Sequence, residues 1–166
     1  MATHDRDRAV ALSLQLAQAH RQLRNRLDEL RTNPGENHTL TTHCLAFCEA
    51  LTAHHEGEDT GMFTDLLRER PDLAATVDNL DQDHEMISSI LARVAELTRR
   101  AAATAGSAEH GSIELELDGL AAIMENHFRY EERAISAALD RGLDDTRWSG
   151  QVFRFEPAGK APKPLS

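Results

Sequence analysis

His54-His55-Glu56-Gly57-Glu58-Asp59 interrupts a segment whose apolar residues Leu40, Cys44, Phe47 and Leu51 recur in steps of four and three. Such steps keep side chains on one face of an α-helix, the face that packs inward. The next two positions of that rhythm are His54 and Glu58. A helix expected to bury leucine there buries an imidazole and a carboxylate instead. Without partners such burial costs several kcal/mol, so the rest of the chain has to supply them.

The segment around this motif reads as one helix from about Asn37 to Glu69, stopping before Pro71, which suits the first turn of a following helix. Upstream, the stretch from about Asp5 to Arg31 has no Pro or Gly and carries the stripe Leu12, Leu16, His20, Leu23, Leu27, Leu30. Thr32-Asn33-Pro34-Gly35 is strong breaker chemistry after it. Downstream, a third stripe runs Leu73, Val77, Leu80, His84, Ile87, Leu91, Val94 and fades into Ala101-Ala102-Ala103. Thr104 to Gly111 is small and polar, a connection. The fourth stripe is Ile113, Leu117, Leu120, Met124, His127, Glu131, Ala134, Ala138, closed by Gly142. Long helices with short connections predict an all-α fold, an antiparallel up-down-up-down four-helix bundle with a C-terminal extension. Residues 1–143 are expected to form the bundle. In the tail, 144–166, the aromatics Trp148, Phe153 and Phe155 are expected to lie across it, with the Pro-rich end loose. Gln151-Val152-Phe153-Arg154-Phe155 alternates but is too short and solitary to read as a strand.

Composition narrows the function. A chain of 166 residues suits one domain with a real core. The formal net charge is -10, and the only lysines are Lys160 and Lys163. An acidic chain without a basic stripe argues against nucleic acid or an anionic membrane as partner. Cys44 and Cys48 are too few for a disulfide framework, which fits a reducing compartment. Met1 to Arg8 is polar, and no run approaches the roughly 18 apolar residues needed to span a bilayer. A cytoplasmic monomer or homodimer is the expectation.

Each helix has a break in its apolar seam: His20, His54 with Glu58, His84, and His127 with Glu131. Two of the four repeat His-x-x-x-Glu, a spacing that stacks both side chains one turn apart so that they can hold a metal together. Counted from the predicted turns at about 1.5 Å per residue, the breaks fall within several ångströms of one level. Four imidazoles and two carboxylates without a metal make an expensive polar core. Two divalent cations would balance the charge, with the carboxylates bridging and the histidines capping each end. These ligand types suit iron, manganese or zinc, and iron is the natural choice for redox work. Ferritin-like di-iron bundles use Glu-x-x-His; here the order is reversed, and the nearest match is Asp81-Gln82-Asp83-His84.

The set His20, His54-x-x-x-Glu58, His84, His127-x-x-x-Glu131 resembles the hemerythrin-like, HHE cation-binding family. The segments HHEGEDTGMF and HFRYEERAI are similar to its repeated helices, and the resemblance covers about residues 8 to 140. It implies a non-haem di-iron centre, two iron ions with an oxo or hydroxo bridge. Such a centre binds dioxygen, nitric oxide or peroxide, or senses iron and oxygen. Oxygen-carrying members have two histidines one turn apart on the third helix, whereas Leu80 and Ser88 flank His84 here. Their fourth-helix carboxylate is an Asp five residues after its His; here the seam selects Glu131 over Glu132. Fewer imidazoles imply an open metal position, which shifts the weight from oxygen carriage toward catalase-like peroxide decomposition, gas sensing or iron handling. A metal-binding or sensory module without catalysis is the alternative. It expects an attached effector domain where this chain has a short tail. A bundle holding zinc for structure is the third reading.

Several neighbours carry two readings each. His55 flanks the seam; a solvated boundary position is the simpler expectation, a further metal ligand the alternative. His43 is expected on the surface, too far along the axis to join the centre. Tyr130 is expected as boundary packing, with a hydrogen bond to a bound oxygen species as the alternative. Cys44 is expected in the core and Cys48 on its flank rather than as a redox or zinc pair. Glu56, Asp59, Glu85 and Glu132 are expected to be solvated, or else to hydrogen-bond the ligand histidines. Leu16, Phe47, Leu51, Phe63, Leu80 and Met124 should form dry walls.

Overall fold

The computed structural model describes residues 10–32, 37–104 and 107–155. All regular structure among them is helical, without strands. Helix α1, Leu12–Thr32, buries the predicted stripe together with Ala19. Its first turn is tied down by Ser13, whose backbone N–H and hydroxyl donate to the two oxygens of Asp140 at 2.9 and 2.5 Å. That satisfies one of the orphan donors of a helix start. The start expected near Asp5 and the breaker Asn33-Pro34-Gly35 lie outside the described residues.

The predicted second helix is one continuous rod in three pieces: α2, Asn37–Gly57, a π-helical turn, Glu58–Met62, and α3, Phe63–Glu69. The turn begins at the motif carboxylate. Its cause is visible in the spacing of buried residues, His54, Glu58, Met62 and Leu66, three successive steps of four. Each such step overshoots a 3.6-residue turn, and an inserted residue absorbs the drift. Pro71–Leu73 forms a short 3-10 turn with Pro at its start, and α4, Ala74–Thr104, follows. Helix α5, Ser107–Leu139, starts earlier than the predicted connection to Gly111 allowed. Gly142, at φ 83°, supplies the left-handed conformation that turns the chain after α5. The tail forms a short helix, α6, Ser149–Phe153.

Cross-links between helices set their directions. Arg31 meets Asp118, Arg24 meets Glu125 and Ser13 meets Asp140, so α1 and α5 run in opposite senses. Arg93–Glu116 and Asn79–Tyr130 give the same relation between α4 and α5. The apolar core is divided in two. One half gathers Leu23, Leu27, Phe47, Leu51, Ile87, Leu91, Leu120 and Phe128. The other gathers Leu12, Leu16, Met62, Phe63, Leu66, Leu80, Ile135, Trp148 and Val152. Between them lies a layer of buried histidine and glutamate. No helix among the described residues is long and apolar enough to cross a membrane.

Candidate metal centre

The six seam breaks converge. His20, His54 and His84 come from α1, α2 and α4, Glu58 from the π turn, and His127 and Glu131 from α5. All are buried, Glu58 and Glu131 completely. Each carboxylate touches the histidine one turn before it and one lone histidine. Glu58 Oε1 lies 3.4 Å from His54 Nε2 and 3.3 Å from His84 Nε2. Glu131 Oε2 lies 3.4 Å from His127 Nε2 and 3.6 Å from His20 Nε2.

Donor atoms of His20, His54 and Glu58 lie within 4.8 Å of one another, and so do those of His55, Glu58, His84 and His127. Glu58 is common to both sets, and Glu131 reaches one histidine of each. His55 therefore corrects the expectation of a solvated position. It is only 5% exposed and stacks on His84 with ring centroids 3.8 Å apart. Tyr130 stays at the half-buried boundary, within hydrogen-bond distance of Asn79. His43 is exposed. Cys44 and Cys48 are free, buried thiols outside the cluster, and burial pushes them up to about 11 and about 12.

The outward nitrogens fix how the rings face. His20 Nδ1 is 3.1 Å from Glu132, His84 Nδ1 is 2.7 Å from Asp59, and His127 Nδ1 is 3.1 Å from Asp83. His54 Nδ1 is 2.6 Å from the carbonyl oxygen of Val152. Carboxylates and carbonyls only accept, so in each neutral ring Nδ1 carries the proton and Nε2 turns a lone pair inward. Glu132 and Asp59 thus take the hydrogen-bonding alternative, while Glu56 and Glu85 are exposed. Asp83 and the Val152 carbonyl have no counterpart in the seam pattern.

This layer is under electrostatic strain. Nε2 of His20, His54 and His55 and both oxygens of Glu58 and Glu131 are buried with no hydrogen-bond partner. His84 Nε2 and His127 Nε2 face each other at 3.1 Å. Two lone pairs at that separation repel unless a proton or cation lies between them. Burial pushes the Glu58 carboxyl up to about 8 and Glu131 well above the usual carboxylate range, with neighbouring Glu58 adding to the latter. Burial likewise lowers His54 to about 3 and His127 to about 4, and holds His20 and His55 well below ordinary imidazole. Buried donors with no partner are the signature of a site built for cations.

Residues 13–139 match the hemerythrin HHE cation-binding domain. The chain belongs to that family. Neither a curated protein nor a solved structure matches it. As an HHE domain it binds cations, and the histidine and glutamate cluster is where its donor atoms gather. Around the HHE cluster the residues expected to wall it, Leu16, Phe47, Leu51, Phe63, Leu80 and Met124, are all buried. Phe128, which the seam pattern passes over, stacks on His20 with centroids 3.8 Å apart and the planes nearly parallel.

Proposed function

We propose that the chain is a non-haem di-iron protein whose centre binds or reacts with dioxygen, hydrogen peroxide or nitric oxide. The reading rests on the layer of buried, inward-facing imidazole and carboxylate atoms that have no hydrogen-bond partner. His20 and His54 would hold one iron and His55, His84 and His127 the other, with Glu58 and Glu131 shared. Iron held by imidazole and carboxylate supplies redox chemistry toward small oxidants. The chain's own part is to orient Nε2 of His20, His54, His84 and His127 through their Nδ1 hydrogen bonds, to exclude water with apolar walls, and to leave one side accessible.

That side is a cleft of about 490 Å³ lined by Thr52, His55, Asp59, Asp81, His84 and Ser88. Ser88 stands one turn after His84, one of the two positions, with Leu80, at which a second imidazole on this helix could stack with it. A small side chain beside the cleft supports access of peroxide to the His55/His84 side, and hence turnover over storage. The same reading takes residues 1–143 as an up-down-up-down bundle with 144–166 as a tail, in the cytoplasm, as a monomer or homodimer.

Metal analysis of purified protein, with optical spectra before and after dioxygen, peroxide and nitric oxide, tests it. Two irons per chain, ligand-dependent bands and loss of peroxide are expected. Zinc in place of iron, or iron with neither a new band nor peroxide loss, refutes it.

A further inference from the structure

Three of the four Nδ1–H groups described above point at carboxylates. The fourth, on His54, points at a backbone carbonyl of α6, in the tail beyond the residues that match the family domain. We propose that α6 is a positioning element of the metal centre, with the Val152 carbonyl fixing the ring orientation and tautomer of His54. The inference rests on the reading of His54 as a metal ligand.

The contacts that dock α6 are specific to this pairing. Gly57 and Gly61, one turn apart, leave room for it. A Cβ on Gly57 would lie 2.9 Å from Val152 Cγ2, and one on Gly61 would lie 2.6 Å from Trp148 Cβ. Trp148 Nε1 donates to Asp65 Oδ2 at 3.0 Å, Arg147 meets the other oxygen of Asp65 at 2.7 Å, and Gln151 donates to the Ala53 carbonyl at 3.1 Å. Trp148 and Val152 are buried. The short helix is thus pinned along the rod on both sides of Glu58, by Gln151 at Ala53 and by Arg147 and Trp148 at Asp65. A backbone carbonyl carries no net charge, so it fixes the ring without raising ligand basicity as a carboxylate does. His54 then donates less strongly to its metal than His20, His84 and His127, which are served by Glu132, Asp59 and Asp83.

The test compares Gly57→Ala with Gly119→Ala. Both replace a helical glycine and gain helix propensity, but a Cβ at Gly119 meets nothing within 4 Å. Long-range ¹H–¹⁵N spectra of the metal-free, full-length protein read the tautomer of His54, and calorimetric titration with Zn(II) reads stoichiometry and affinity. Wild type and Gly119→Ala are expected to show a protonated, hydrogen-bonded His54 Nδ1 and two bound ions. Gly57→Ala is expected to lose that signal and to weaken one of the two ions roughly 10- to 100-fold. Gly61→Ala, acting through Trp148, should repeat the result if Gly57→Ala does not fold. A His54 protonated on Nε2 in wild type, or unchanged tautomer and affinities in the folded glycine variant, overturns the proposal. Wild type that binds no metal while its His54 signal is as expected overturns the ligand reading instead.

Discussion

Removing metal should make stability depend on pH in a way that no apolar helical domain would show. In the metal-free protein Glu58 is raised by burial from 4.5 to about 8. Its neutral form is compatible with the core, so its contribution is fully present below 4.5 and is lost as pH rises toward 8. The buried histidines act in the opposite sense. His54 and His127 are lowered to about 3 and about 4 from 6.5, so their contribution is present above 6.5 and is lost on acidification. Metal-free stability should therefore peak near pH 6.5. Between there and pH 8, at 1.36 kcal/mol per unit, Glu58 alone costs about 2 kcal/mol. Glu131 adds in the same direction. For a chain of this size that corresponds to a fall in Tm of about 4 to 8 °C. Bound cations balance the ionised carboxylates and should remove the fall. The assay is calorimetry of chelator-treated and metal-loaded protein at half-unit steps from pH 5 to 8.5. A chelated protein whose Tm is flat or rises from pH 6.5 to 8 would refute the account of the buried carboxylates.

Three further outcomes follow from the same geometry. His127→Ala should lose metal and Tm together, because folding and binding are linked; at metal concentrations 100-fold above Kd the lost binding contributes about 2.7 kcal/mol. Full occupancy in that variant, by elemental analysis, would remove His127 from the ligand set. Cys44 and Cys48, raised to about 11 and about 12, should react with a thiol reagent at pH 8 at least about 100-fold more slowly in native than in unfolded protein; equal rates would contradict their burial. Leu120→Ala, in the core half that does not include α6, should cost about 2 to 5 kcal/mol while leaving the metal stoichiometry at two; loss of one ion would mean that the two core halves are not independent of the centre.

The seam residues make most of this architecture legible in the sequence itself. A stripe such as Leu12, Leu16, Leu23 and Leu27 defines both a helix and its inward face, and a polar residue on that stripe announces a polar layer. The family match agrees with the resemblance read from those breaks. What escapes the sequence escapes for identifiable reasons. His55 lies one residue past the seam, and a period of 3.6 assigns it to the flank, yet it is buried against His84. Asp83 reaches His127 across to another helix, a pairing that no local spacing encodes. The acceptor for His54 is a carbonyl at Val152, and every residue has a carbonyl. The alternation of Gln151 to Phe155 carries no sign of the short helix that places it.

The π-helical turn from Glu58 to Met62 makes the rod a device for shifting phase. Upstream and downstream of it the chain obeys two different angular origins, offset by about one residue, or roughly 100°. Deleting a single exposed residue within it, Thr60, would restore an uninterrupted α-helix and take out the slip, leaving Phe63 and Leu66 on the inward face they occupy. The change would fall on the turn itself, which carries the buried Glu58, Gly61 and Met62 and faces Trp148. A one-codon loss here should thus cost the local placement of Glu58 but not the direction of the rod's far end, which the same loss in the regular helix upstream would turn by that angle.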